Sequence, residues 1–282
     1  MRSLAAFGIL AATALVAACS LTTDLGALSD GAAAPGASDA APIDEGGTRA
    51  EAASTDALAE AGVVDPYVAA VLADAPVAYY RFEDTSDSNF AKDELGAHPA
   101  IVTKKGVTFG GAGLRGNGVL FDGNAGLDIG DAFDFAGKTE LTLEIWVRTT
   151  TSQLGGQLFD KRDESVANDF KGYILYEGGD GTPHFEAWGG PQLTAWGDDP
   201  LPVAFAHVVL AVSYATGKGN ATLYVNAQPT AHGGFDNTID LADTPEHLTI
   251  GRTFVGLMDE AAIYAKALPP ERILAHYRAG KP

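Results

Sequence analysis

Across "ELTLEIWVRT", residues 140–149, side-chain character repeats every two residues. Leu141, Leu143, Ile145 and Val147 share one face, and Thr142, Glu144, Trp146 and Arg148 the other. A period of two belongs to extended chain, because a helix would scatter these residues around its surface. "HVVLAVSY" repeats the pattern with Val208, Leu210, Val212 and Tyr214. "VAYYRFED", "ATLYVNAQ", "HLTIGR" and "VGLMDEAAIY" are further short β-branched and aromatic runs, separated by turn-forming "GGDGTP", "ATGKGN" and "GFDNT". Such spacing predicts an all-β domain, an antiparallel β-sandwich or jelly roll.

Two short helices are expected to flank the strands. In "DPYVAAVLAD", Asp65 is placed as N-cap and Pro66 as the first helical residue. "LPPERILAHYRAG" also begins with prolines and stops at Gly280, with Ile273, Leu274 and Tyr277 on one side.

"YVAAVLADAPVAYYRFED" resembles the opening of laminin-G-like domains of the concanavalin A-like lectin/glucanase type. The resemblance continues in order through "GVLFDGNAGLDIG", "LTLEIWVRT", "AHVVLAVSY", "ATLYVNAQP", "HLTIGR" and "FVGLMDEAAIYAKALPPERILAHY", covering residues 67–280. Tyr80 stands where those domains carry a tryptophan, and "FAH" at 205–207 where W-H is usual. The resemblance implies a sandwich that binds a glycan or a surface protein. It also implies one structural calcium, at the matching positions Asp84, Asp93 and Asp259, with Glu83 replacing Asp84 if the register differs. Calcium takes six to eight oxygens, which clustered carboxylates and loop carbonyls provide. The alternative role for these acids is to cap turns or face water.

Ahead of the strands the chain changes character. Residues 4–18, "LAAFGILAATALVAA", form an apolar run after Arg2, of signal-peptide length and short of the roughly 20 residues that span a bilayer. Val16-Ala17-Ala18-Cys19 resembles the lipobox of bacterial lipoproteins, and Cys19 is the sole cysteine of the chain. The expectation is a signal peptide over 1–18 and a lipid on Cys19 that anchors the protein in the cell envelope. Ser20, a non-acidic residue in the next position, points to the outer rather than the inner membrane. The remainder of 19–65 has no aromatic residue, and from residue 20 carries nine acids against one base, Arg49. It reads as a disordered tether, roughly 35–40 Å end to end as a flexible coil, leading into a folded domain over 66–282.

Without residues 1–18 the chain has 17 basic and 37 acidic residues, a net of −20. Such a balance excludes nucleic-acid binding, which needs a basic footprint, and leaves the lipid as the sole expected membrane contact.

Catalytic motifs are missing from the sequence. Glycosidases on this sandwich pair carboxylates closely, at about 5 Å in retaining enzymes. Glu140 and Glu144 lie four residues apart on one strand, roughly 13 Å by strand rise. Gly111–Gly116 spells G-x-G-x-x-G, but the following "NGVLFDG" reads as a strand rather than the helix a dinucleotide site requires. The domain is therefore expected to be non-catalytic; the alternatives are a structural component of the cell envelope that binds no sugar, or a glycoside hydrolase with an unrecognised site. The ligand platform is expected in "HFEAWGGPQLTAWGDDP", where Trp188 and Trp196 stand in or beside a Gly-rich connection. Indoles stack on the apolar faces of sugar rings, with Gln192, Asp198 and Asp199 as hydrogen-bonding neighbours. The competing role for either tryptophan is to pack over the sandwich edge.

Overall fold

The computed structural model describes residues 65–149, 156–166, 169–189, 192–214, 219–230, 232–233 and 241–281. The expected signal peptide, Cys19 and all but the last residue of the tether lie outside them.

The chain opens with α1 (Pro66–Ala73), then β1 (Ala78–Tyr80), β2 (Phe90–Ala91), β3 (Ala100–Val102), β4 (Val107–Ala112), β5 (Asn117–Asp122) and β6 (Leu127–Gly130). It continues through β7 (Leu141–Thr149), β8 (Gly156–Asp163), β9 (Lys171–Glu177), β10 (Pro183–Trp188), β11 (Leu193–Trp196) and β12 (Ala206–Ser213). It closes with β13 (Asn220–Val225), β14 (Gln228–Pro229), β15 (His232–Gly233), β16 (Leu248–Ile250), β17 (Val255–Tyr264) and α2 (Pro270–Gly280).

The strands form two antiparallel sheets. One runs β14-β13-β12-β7-β17-β5-β4, with β1 also on β17; the other runs β15-β11-β10-β9-β8-β16-β6-β3-β2. The period-two reading holds at side-chain level. Leu141, Leu143, Ile145 and Val147 of β7 and Val208, Leu210 and Val212 of β12 join a core completed by Leu158, Leu175, Phe185 and Ile250 of the second sheet. Burying a side chain of this size contributes about 1.5–3 kcal/mol.

Both helices sit as expected. The Asp65 carboxylate accepts the Tyr67 N–H at 2.8 Å, with Pro66 first in the helix. The G-x-G-x-x-G segment is the turn joining β4 to β5, which excludes the dinucleotide reading.

Candidate functional site

The outer faces of the two sheets differ. On the eight-stranded sheet, Tyr67 and Val71 of α1 and Ile273 of α2 pack over Tyr79, Trp146, Val209 and Tyr264. Beneath them Glu144 is fully buried. It accepts hydrogen bonds from Tyr67 Oη at 2.8 Å, Tyr264 Oη at 3.0 Å and His207 Nε2 at 2.7 Å, with His276 Nδ1 at 2.9 Å. Burial alone would raise this carboxyl, but the two histidines hold it well below the usual carboxylate range. His276 Nε2 lies 2.8 Å from Asp74 and 3.1 Å from the Ala70 carbonyl, itself only an acceptor. Both ring nitrogens therefore donate, and His276 is an imidazolium clamped between two carboxylates. This face is sealed by helices and held by charge.

No described helix or strand covers the outer face of the nine-stranded sheet. Its register aligns one row across eight strands: Phe90, Ile101, Asp128, Thr249, Asp160, Ile174, Glu186 and Thr194. A flanking row places Arg162, Gly172 and Trp188 side by side, and another places Gln157, Tyr176, His184 and Trp196. Aromatic and polar groups thus alternate over this surface, in which Asp160, Ile174 and Thr194 are buried among their neighbours.

Neighbours fix these side chains. Arg162 donates to both Asp160 oxygens, at 2.8 and 3.2 Å, and its guanidinium carbon stands 6.0 Å from the Trp188 ring centroid. Phe170 meets the same indole edge-on at 5.6 Å. Tyr176 Oη donates to Glu186 Oε1 at 2.7 Å, and Gln192 Nε2 to Glu186 Oε2 at 2.9 Å. The Tyr176 ring stacks on His184 at 5.2 Å. Trp188, Tyr176 and Trp196 are half-buried. An anchored aromatic beside preset hydrogen-bonding groups suits a polyhydroxylated ring.

Trp188 and Trp196 end β10 and β11 rather than standing in a connection. They share the open face at opposite ends of a hairpin, about 13 Å apart by strand rise, with His184, Glu186 and Thr194 between them. Tyr176, Glu186, Arg162 and Asp160 were missed by the sequence reading. The signal for Tyr176 and Glu186 was alternation in "YILYE" and "HFEAW", short runs that carry acids and tyrosines among the apolar residues.

The expected calcium set does not assemble. Asp93 Oδ1 accepts the N–H groups of Tyr79 and Leu95, and Oδ2 those of Ala97 and His98, all within 3.0–3.1 Å. Its carboxylate builds a turn. Both Asp84 oxygens face the Lys92 N–H, at 3.2 and 3.3 Å. Asp259 Oδ2 takes the N–H groups of Leu114 and Arg115, while its buried Oδ1 has no partner. Glu83, the alternative to Asp84, accepts the Asn117 N–H at 2.9 Å. Calcium needs converging oxygens; Asp84 and Asp93 are met by N–H donors, while Asp259 keeps one oxygen unpartnered. Among the described residues no three His, Cys, Asp or Glu side chains converge as metal ligands.

Burial, aided by the charge of adjacent Glu260, pushes the Asp259 carboxyl up to about 8 despite the two N–H donors. Burial likewise raises Glu260 to about 7, against hydrogen bonds from Tyr79 and Arg81.

A two-sheet antiparallel sandwich with one sealed and one open outer face defines a jelly-roll module. The chain belongs to the Laminin_G_3 family, described as the concanavalin A-like lectin/glucanases superfamily, whose model matches residues 121–274. Among solved structures it is similar to domain 4 of AbnA, a GH43 extracellular arabinanase from Geobacillus stearothermophilus, in complex with arabinotriose. The identity is 18% and the TM-score 0.55, over 72% of this chain and 98% of that domain. It is also similar to the binding domain of Paraclostridial Mosquitocidal Protein 1, at 16% identity and TM-score 0.54, over 71% of this chain and 51% of that one. Trypanosoma rangeli sialidase in complex with sialic acid aligns at 17% identity and TM-score 0.50, over 71% of this chain and 32% of the sialidase. These likenesses establish the fold alone. No curated protein matches the sequence.

Proposed function

We propose that this chain is a non-catalytic glycan-binding module whose ligand lies on the open face of the nine-stranded sheet, displayed from a bacterial cell envelope by a lipid on Cys19. One observation carries the reading: helices seal one outer face, while the other presents seated aromatics interleaved with fixed polar groups. Arabinotriose on the similar arabinanase domain supports a sugar chain as ligand.

The state of the carboxylates supports binding without catalysis. A glycosidase needs one protonated carboxyl facing a second carboxylate across the scissile bond. On the open face Asp160 is clasped by Arg162, and Glu186 accepts from Tyr176 and Gln192. Asp259 and Glu260, two acids pushed toward neutrality, belong to the other sheet, and Glu177, raised to about 7 by burial, ends β9 as a buried side chain. A protein partner is the second reading, favoured by Phe90 and Ile101, which are paired on the open face and 41% and 46% exposed.

The test is a glycan array probed with the full chain and with Trp188→Ala. Retention on a defined glycan class that Trp188→Ala abolishes supports the reading; no retention by a folded chain overturns it. Cys19→Ser, expressed in a bacterium, is expected to move the protein from the membrane to the soluble fraction.

A further inference from the structure

One corner of the open face carries charge of the wrong sign for this molecule. A pocket of about 190 Å³ opens there, lined by Thr103, Lys104, Asn124, Asp128, Thr249 and Arg252 among others. It lies among the turns β3–β4, β5–β6 and β16–β17, and Asp128 and Thr249 also belong to the central cross-strand row, so pocket and face are continuous.

Its charges are unevenly spent. Asp128 is the one acid in the lining, and it is turned to His247 Nδ1 at 2.9 Å and to the Gly130 N–H at 2.8 Å. Arg252 is 56% exposed and comes no nearer than 3.8 Å to Asp160, which Arg162 already holds at 2.8 Å. Lys104 is exposed and forms no ion pair with a described residue. Two cations therefore face one engaged acid in the lining, with Asp160 at 3.8 Å from Arg252 and Asp122 held by the Asn124 N–H at its edge, on a chain of net charge −19. Charges farther off are screened beyond about 8 Å at physiological salt, so the pocket's own groups govern what enters it. The Thr103 hydroxyl and the Asn124 amide add donors suited to an anion, while the Thr249 hydroxyl is given to the Asp160 carbonyl at 3.3 Å.

Resting on the glycan-binding reading, we infer that the ligand is an acidic oligosaccharide, with a sugar carboxylate held in this pocket by Lys104 and Arg252 while another ring stacks at Trp188. Four strand spacings separate the Asp128 strand from the Trp188 strand, about 19 Å. A ligand reaching both is a chain of several sugars rather than one. A neutral sugar offers the two cations hydroxyl oxygens but no opposite charge.

The experiment measures binding of the full chain to matched acidic and neutral oligosaccharides on several backbones, among them tetragalacturonate and its methyl ester. A sulfated counterpart of each backbone separates a carboxylate site from a general anion site. The carboxylated member is expected to bind about tenfold or more tighter than its neutral partner, the worth of a charged hydrogen bond. Lys104→Gln/Arg252→Gln erases that preference while sparing neutral binding, and Trp188→Ala weakens both members of a pair. A preference that survives Lys104→Gln/Arg252→Gln, an equal or greater preference for sulfate, or retention of neutral glycans alone overturns the inference and leaves the glycan-binding reading standing. Retention of no glycan overturns both.

Discussion

Arg162 and Trp188 face each other across Gly172, the guanidinium carbon 6.0 Å from the indole centroid. The small residue between them has a left-handed backbone, φ +82°, and a Cβ there would run into the Lys161 carbonyl oxygen. The aromatic seat therefore depends on a glycine for both its backbone shape and the approach of β8.

Gly172→Ala tests that dependence. Left-handed backbone costs a residue with a Cβ about 1–2 kcal/mol, and the collision with Lys161 adds to it. Chemical denaturation should show a loss of about 2 kcal/mol or more. An unchanged midpoint would mean that β8 and β9 are not held this closely.

His276 gives a pH signature. Burial opposes its charge, but Glu144 and Asp74 together raise it above the ordinary value. A base raised in the folded state contributes fully below its unfolded value of about 6.5 and loses that contribution as pH rises through the folded value. His276→Ala should cost about 3 kcal/mol at pH 6, the usual loss on breaking a buried ion pair, and less at pH 9. A difference from wild type that does not vary with pH would refute the imidazolium assignment.

Asp259 titrates in the opposite chemical sense yet moves stability the same way. Its folded value of about 8 lies above the unfolded 3.8. Its stabilising effect is therefore complete below 3.8 and falls away as pH rises to about 8. Asp259→Asn keeps an acceptor for Leu114 and Arg115 and removes the buried charge, so the variant should gain on wild type between pH 5 and pH 9. A wild type stabilised by calcium, with a variant that loses both that effect and stability, would instead assign the unpartnered Oδ1 to a cation.

Asp65 is a quieter case. Its carboxylate caps α1 through the Tyr67 N–H and pairs with Arg115 at 2.8 Å. Asp65→Ala should cost about 1 kcal/mol, as loss of an N-cap does. A neutral result would show that the Glu144 network alone keeps α1 in place.

Much of the fold was legible because β7 and β12 carry strict apolar alternation, and because Asp-Pro and Pro-Pro mark the helix starts. The open face was not, for a physical reason. Strands β8 to β11 place Asp160, Arg162, Tyr176, Glu186 and Trp188 outward, so their polar residues blur the pattern that betrays a buried strand. Trp188 and Trp196 were visible as aromatics near glycines, but their shared face depends on the β10–β11 register. The three aspartates were legible as carboxylates, but their partners were not. Asp93 is surrounded by N–H groups, three from its own turn and one from Tyr79 of β1. The Glu144 hub unites residues as far apart as Tyr67 and His276, and no local spacing announces it.

The central claim is that ligand occupies the open face of the nine-stranded sheet. Hydrogen–deuterium exchange of the full chain, with and without a glycan retained on the array, tests it most directly. Protection confined to β8–β11 and the turns beside Lys104 and Arg252, with α1 and α2 unchanged, is the predicted result. Protection centred on α1 and α2, with the open face unaffected, would contradict it.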